Sequence, residues 1–287
     1  MDVIRKFLIR YSKQLLGAAV ALLLIVCILL TAVCSHNFGA LTGLGLLVLS
    51  VVLHKKEKAT DRTVSYILLG AAVYFFPASS AVVLFYVGEA FKIQNGRLRM
   101  LLIVVAEYVC GIPTVLRTGK IGFPVTRLVS WLNVNNLFDH NISFWSLVTG
   151  RDQLRFGLVA VALACGLLIL GLFFYETNKM GEEFYMIWSV WTCLLFLPYG
   201  HAEDGLVLIV LLLLGRRQHE NENLYRGVLM LWLAESLMMI GSAYGGYERF
   251  GYDFYQLAVG LNFIAWLSFT YKGTEHIWKE NQVTAKN

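Results

Sequence analysis

The chain has 287 residues, of which 57% are hydrophobic and 15% charged, with a formal net charge of +5 and a mean hydropathy of +0.62. Soluble domains carry about 25% charged residues, so this composition excludes an ordinary water-soluble protein. It also argues against nucleic acid as a partner, because the basic residues stand beside apolar runs, where they set orientation and meet anionic membrane lipids. Apolar segments recur from Lys13 to Tyr271 without a polar stretch long enough for a soluble module. The expectation is an all-α, polytopic transmembrane helix bundle forming one integral membrane domain over 1–287.

A hydrocarbon core about 30 Å thick takes about 20 helical residues to cross. Arg5, Lys6, Arg10 and Lys13 precede the apolar run Leu15 to Val33. That arrangement is signal-peptide-like in charge, but the run is nearly a full span and lacks an obvious small-residue cleavage site, which predicts a retained first helix. Phe38 to Leu53 follows. Tyr66 to Phe91 then offers two apolar pieces of roughly half a span on either side of Pro77, Ala78, Ser79 and Ser80. Further spans are expected at Met100 to Leu116, Phe156 to Tyr175, Phe184 to Pro198, Gly205 to Leu214, Leu224 to Ile240 and Phe254 to Tyr271, giving roughly eight in all.

Orientation follows from Lys and Arg near the span ends. The basic stretches are the N-terminal tail, His54 to Lys58, Lys92 to Arg99, Arg216 to Arg226 and the tail from Lys272. All of them lie on the cytoplasmic side, together with both termini, only if Tyr66 to Phe91 enters and leaves on the same side. A re-entrant or short helical hairpin with its break at Pro77 is therefore predicted; the alternative is one long helix kinked by the proline. The non-cytoplasmic face then receives residues 117–155, whose apolar pattern (Val125, Leu128, Val129, Leu132, Phe144) suits interfacial amphipathic helices.

Ionisable groups inside apolar spans are costly and mark candidate functional positions. Glu107 and Glu235 are such groups, whereas Glu89 is nearer a span end and reads as an interfacial carboxylate. His201, Glu203 and Asp204 crowd the entrance to the apolar Gly205 run, where one carboxylate can cap the next helix and the others could serve as general base. Asp139 and His140 belong to the same predicted face. So do Arg117, Arg151, Arg249, Trp145 and Tyr247, which could fork onto phosphate or stack on a sugar ring.

This convergence suggests a membrane-embedded transferase for a lipid-linked or envelope substrate, with its site on the non-cytoplasmic face. Its catalytic candidates are His201, Glu203, Asp204, Asp139 and His140, and its substrate-binding candidates are the five outer arginine, tryptophan and tyrosine residues. Two alternatives remain open: a transporter, flippase or channel using Glu107 and Glu235, and a non-catalytic membrane subunit. The five cysteines (Cys27, Cys34, Cys110, Cys165 and Cys193) include no CxxC pair and read as packing residues. No metal site or cofactor is suggested by spacing.

Three short stretches resemble motifs of known membrane enzymes. Ile103 to Ile112 is similar to the cysteine-bearing helix of exosortases, but Pro113 departs from that pattern and Arg127 and His140 follow too closely. Asn221 to Gly227 resembles the first motif of CAAX-type membrane proteases, with Asn221 in place of a glutamate and the later Phe-x-x-x-His element missing. Phe76 to Ser80 resembles the Pro-x-Ser-Ser stretch of undecaprenyl-pyrophosphate phosphatases without the adjoining glutamates. Matches under about ten residues are expected by chance, and none assigns a family.

Overall fold

A computed structural model describes residues 38–56, 58–92, 96–119, 143, 153–177, 179–196, 205–215 and 259–275. The chain divides into two compact units, Met1–Phe38 and Gly39–Asn287, and all the described residues except Phe38 belong to the second. Its elements are α1 (Phe38–His54), α2 (Ala59–Phe75), a 3₁₀ turn (Pro77–Ser79), α3 (Ser80–Lys92), α4 (Gly96–Thr118), α5 (Gln153–Glu176), α6 (Glu182–Phe196) and α7 (Gly205–Gly215). Residues 259–275 form a last helix, α8. No strand occurs among the described residues.

Helix α6 is the axis of the packing, with every residue from Glu183 to Phe196 buried. A buried indole needs an acceptor for its N–H, and here α8 supplies most of them. Trp188 Nε1 donates to Thr270 Oγ1 at 3.0 Å, and Trp191 Nε1 to Asn262 Oδ1 at 2.8 Å. In the reverse direction, Trp266 Nε1 of α8 donates to Thr192 Oγ1 at 3.1 Å. Residue numbers rise along α6 as they fall along α8, so the two helices run antiparallel.

The segment around Pro77 reverses the chain. Proline has no N–H and fixes its own φ, so it ends α2 and opens a new turn. Phe76 N–H closes α2 on Ala72 O at 2.8 Å, and Ser79 N–H bonds to Phe76 O at 2.9 Å. Helix α3 then returns along α2, with the Tyr66 and Tyr86 rings 4.8 Å apart. The turn is not a surface loop, because Phe76, Ala78 and Ser79 are all buried. At about 1.5 Å per residue, α2 and α3 are both shorter than the hydrocarbon core.

Two of the described helices, Gly96–Thr118 and Gly157–Glu176, are long and apolar enough to cross a membrane, and only 17% and 22% of their apolar windows are buried. The core helix of a soluble protein would be mostly covered. Instead α4 turns Leu101, Val105, Val109, Ile112 and Leu116 outward, and α5 turns out Leu158, Val159, Leu163, Ile169 and Phe173. The long helices extend beyond the expected spans: α4 continues through Arg117 and Thr118, and α5 begins at Gln153. Both ends of the 117–155 segment are therefore helical extensions of α4 and α5. The rest of that segment lies outside the described residues except Gly119 and Ser143, as do the predicted spans Leu15 to Val33 and Leu224 to Ile240.

Helices α2 and α4 meet at Gly70, where a Cβ would run into the Ile103 carbonyl oxygen and the Ala106 methyl. Gly45 on α1 has nothing within 4 Å of the same position. Gly70→Val should accordingly destabilise the protein by about 1–3 kcal/mol through overpacking. Gly45→Ala should be neutral, or stabilising by up to about 1 kcal/mol from helix propensity. Thermal unfolding in detergent ranks the two, and equal effects would contradict so close an approach of α2 to α4.

Candidate functional site

The helix directions bring several polar side chains to one end of the bundle. Helix α1 ends there at His54 and α2 begins there with Arg62 in its first turn. Glu89 lies one turn before the end of α3, Tyr175 stands at the end of α5, and Glu182 and Glu183 open α6. A cavity of about 330 Å³ lies between His54, Lys55, Arg62, Glu89, Glu182 and Glu183.

His54 and Glu89 are nearly sealed from solvent, at 4% and 8% exposure. Their proton arrangement follows from the acceptors around them. The single hydroxyl proton of Ser65 goes to Arg62 O at 2.6 Å, since a carbonyl can only accept. The 3.3 Å contact between His54 Nδ1 and Ser65 Oγ is therefore donated by the imidazole. His54 Nε2 faces Glu89 Oε2 at 3.1 Å, and Glu89 Oε1 accepts from the Tyr175 hydroxyl at 2.8 Å. A neutral ring with its proton on Nδ1 would aim a lone pair at a carboxylate. Either a proton or a cation must lie between Nε2 and Oε2.

A second chain supports the first from below. Ser50 donates to Ser65 O at 2.8 Å, so the Tyr86 hydroxyl, 2.8 Å from Ser50 Oγ, is the donor in that contact. Aromatic rings close the underside: Tyr86 and Phe85 lie 4.5 and 5.4 Å from the imidazole centroid, and Tyr175 stacks on Tyr185 at 4.6 Å. This wall separates the charged cluster from the apolar interior.

Lys55 and Arg62 line the cavity. Lys55 pairs with Glu183 and also reaches Leu214 O at 3.4 Å, where the exposed carbonyls at the end of α7 attract positive charge. Lys92 donates to Tyr175 O at 2.6 Å and lies 3.4 Å from the centroid of that tyrosine ring. Glu182 is exposed at the mouth. Partial desolvation, and then the charge on Glu89, push its carboxyl above the ordinary value against the opposing pull of His54, Lys55 and Arg62.

Among the residues proposed from sequence, two are described. Arg117 is exposed in the last turn of α4, at the opposite end from the cavity, and Glu107 is half-buried midway along that helix. His201, Glu203, Asp204, Asp139, His140, Arg151, Arg249, Trp145, Tyr247 and Glu235 lie outside the described residues. Glu89 departs from its expected interfacial setting: it does stand near a helix end, but it is buried and held by both His54 and Tyr175. Sequence reading missed His54, Arg62, Tyr175 and Glu182 altogether. His54 and Glu89 are 35 residues apart, and only the reversal at Pro77 brings them together. The usable signal was a titratable residue at each of several helix ends that share one basic side.

No family model matches the chain, and neither does any curated protein or solved structure. Among the described residues, the fold and geometry define a helical bundle with two helices long and apolar enough to cross a membrane and a buried histidine–carboxylate–tyrosine cluster at one end.

Removing one partner of a buried ionic pair strands the other, at a cost of about 3–5 kcal/mol. His54→Ala and Glu89→Ala should each destabilise by about that much. The double variant should be less destabilised than the sum by about 1–3 kcal/mol. Strictly additive losses in a double-mutant cycle would mean that the two side chains do not interact.

Proposed function

We propose that the chain is a multi-pass integral membrane protein with both termini on the cytoplasmic side. On this reading it is a membrane-embedded transferase that acts on the phosphate-bearing headgroup of a lipid-linked substrate at the polar cleft beside His54, Glu89 and Glu182. The observation that carries the reading is the pairing of that cleft with outward-facing apolar helices. Leu101 to Leu116 and Leu158 to Phe173 offer a surface that soluble monomers rarely leave uncovered and that lipid tails would cover. The cleft opens at the end of the bundle that gathers Lys55, Lys56, Lys58, Lys92, Arg97 and Arg99, the basic residues expected on the cytoplasmic side.

The roles follow from the chemistry of each group. Arg62 can fork onto a phosphate, with Lys55 adding charge beside it. Glu182, exposed at the mouth and raised above its ordinary value, is suited to take a proton from an acceptor hydroxyl. The buried His54–Glu89 pair fixes the geometry beneath. The hairpin of α2 and α3 fits as a re-entrant element whose buried turn is shielded by neighbouring helices, as membrane-embedded irregular backbone requires.

A second reading keeps the site at the opposite end, around His201, Glu203 and Asp204. One observation favours it. A wholly apolar cavity of about 390 Å³, lined by Val159, Leu163, Leu167, Phe196, Phe263 and Trp266, stands at the end of α6 that leads toward His201, and it would accept an acyl or prenyl chain.

Lipid extracts from membranes carrying the wild type, Glu182→Gln, Arg62→Gln, Arg117→Gln or no protein separate these readings by mass spectrometry. A headgroup-modified lipid that depends on Glu182 and Arg62 is the expected result. Dependence on Arg117 alone would move the site to the opposite end. Identical lipid profiles in all five samples would defeat the transferase reading.

A further inference from the structure

We propose that His54, Glu89 and Glu182 form a binding site for one divalent first-row transition ion, Zn²⁺ or Mn²⁺. The proposal deepens the functional reading above and rests on it only for the place of the site. One ligand atom from each of the three residues lies within 4.8 Å of the other two. An ion with bonds of about 2.0–2.2 Å holds neighbouring ligand atoms roughly 3–3.5 Å apart, and the 3.1 Å between His54 Nε2 and Glu89 Oε2 falls in that range.

Three features beyond proximity point to a metal. First, Ser65 fixes the imidazole proton on Nδ1, because its own hydroxyl proton is committed to Arg62 O. The histidine thus presents Nε2 as the lone-pair donor, and a metal-bound histidine usually makes this kind of outer hydrogen bond. Second, Tyr175 holds Glu89 Oε1, so Oε2 is the oxygen left facing the histidine and orients as a one-oxygen ligand. Third, two carboxylates neutralise a divalent charge. A cation between Nε2 and Oε2 thereby removes the need to carry a buried imidazolium.

The donor set selects the ion class. One imidazole with two carboxylates suits borderline metals better than Mg²⁺ or Ca²⁺, which favour all-oxygen sites. Three protein ligands leave at least one coordination position open, and it faces the cavity where Arg62 stands. A phosphate oxygen from a headgroup fits that position, with the guanidinium neutralising the remaining charge. The Lys55 ammonium, in the same cavity wall, pairs with Glu183.

The test uses the full chain purified in detergent without a polyhistidine tag, stripped with chelator and titrated separately with Zn²⁺, Mn²⁺, Mg²⁺ and Ca²⁺. Plasma mass spectrometry after dialysis should find about one Zn²⁺ or Mn²⁺ per chain, with little Mg²⁺ or Ca²⁺. Glu182→Gln, at an exposed position that should not disturb folding, should weaken binding at least about tenfold. His54→Gln should abolish the nitrogen coupling that Mn²⁺ shows in pulsed electron paramagnetic resonance when an imidazole is bound. A wild-type chain that retains no transition ion, or one whose ion retention and nitrogen coupling survive Glu182→Gln and His54→Gln, overturns the proposal. Stoichiometric metal together with unchanged lipid profiles would leave the ion site standing and defeat only the transferase reading. Lipid modification by a metal-free chain would do the reverse.

Discussion

The hydrogen bond between His54 and Glu89 exists only because the chain turns back at Pro77. Without that reversal, α2 and α3 would form one long helix and Glu89 would sit at the far end of the bundle from His54. With it, the ends of α1, α3 and α5 and the beginnings of α2 and α6 share one level, and each contributes a polar group that no apolar neighbour could satisfy. Burial is what makes this arrangement stringent. A histidine and a glutamate at under a tenth exposure must complete each other's hydrogen bonding, and Ser65, Tyr175, Ser50 and Tyr86 are arranged so that every proton has an assigned acceptor.

The remaining architecture separates two environments. Along α6 and α8, the buried indole N–H groups of Trp188, Trp191 and Trp266 find threonine and asparagine oxygens. Along α4 and α5 the outward faces carry almost nothing polar to satisfy. The aromatic layer of Phe85, Tyr86, Tyr175 and Tyr185 stands where those environments meet. Its Tyr175 hydroxyl reaches Glu89 and its Tyr86 hydroxyl reaches Ser50.

Much of the fold was legible in the sequence because it rests on continuous apolar runs. The helices expected near Phe38, Met100, Phe156, Phe184, Gly205 and Phe254 all appear, with shifts of a few residues where charged or polar ends such as Arg97, Gln153 and Glu182 join a helix. Breaks are also local signals, and the one at Pro77 could be read from a missing amide proton and a charge bias. The cluster was less legible. Its members are distant in sequence and unremarkable one by one: a histidine closing a span, a glutamate one turn from a lysine, a tyrosine at the end of an apolar run. A search guided by acidic residues in mid-span and by polar outer loops is drawn to Glu107 and to His201 through Asp204. It passes over the basic side, where positive charge is already explained by orientation.

The close approach of Gly70 to Ile103 bears on how the protein is made. The surface that receives α2 belongs to α4, which leaves the ribosome later. The hairpin therefore finds its contact at Gly70 only after α4 has been synthesised. Until then the side-chain-free face at Gly70 has no Ile103 backbone to meet.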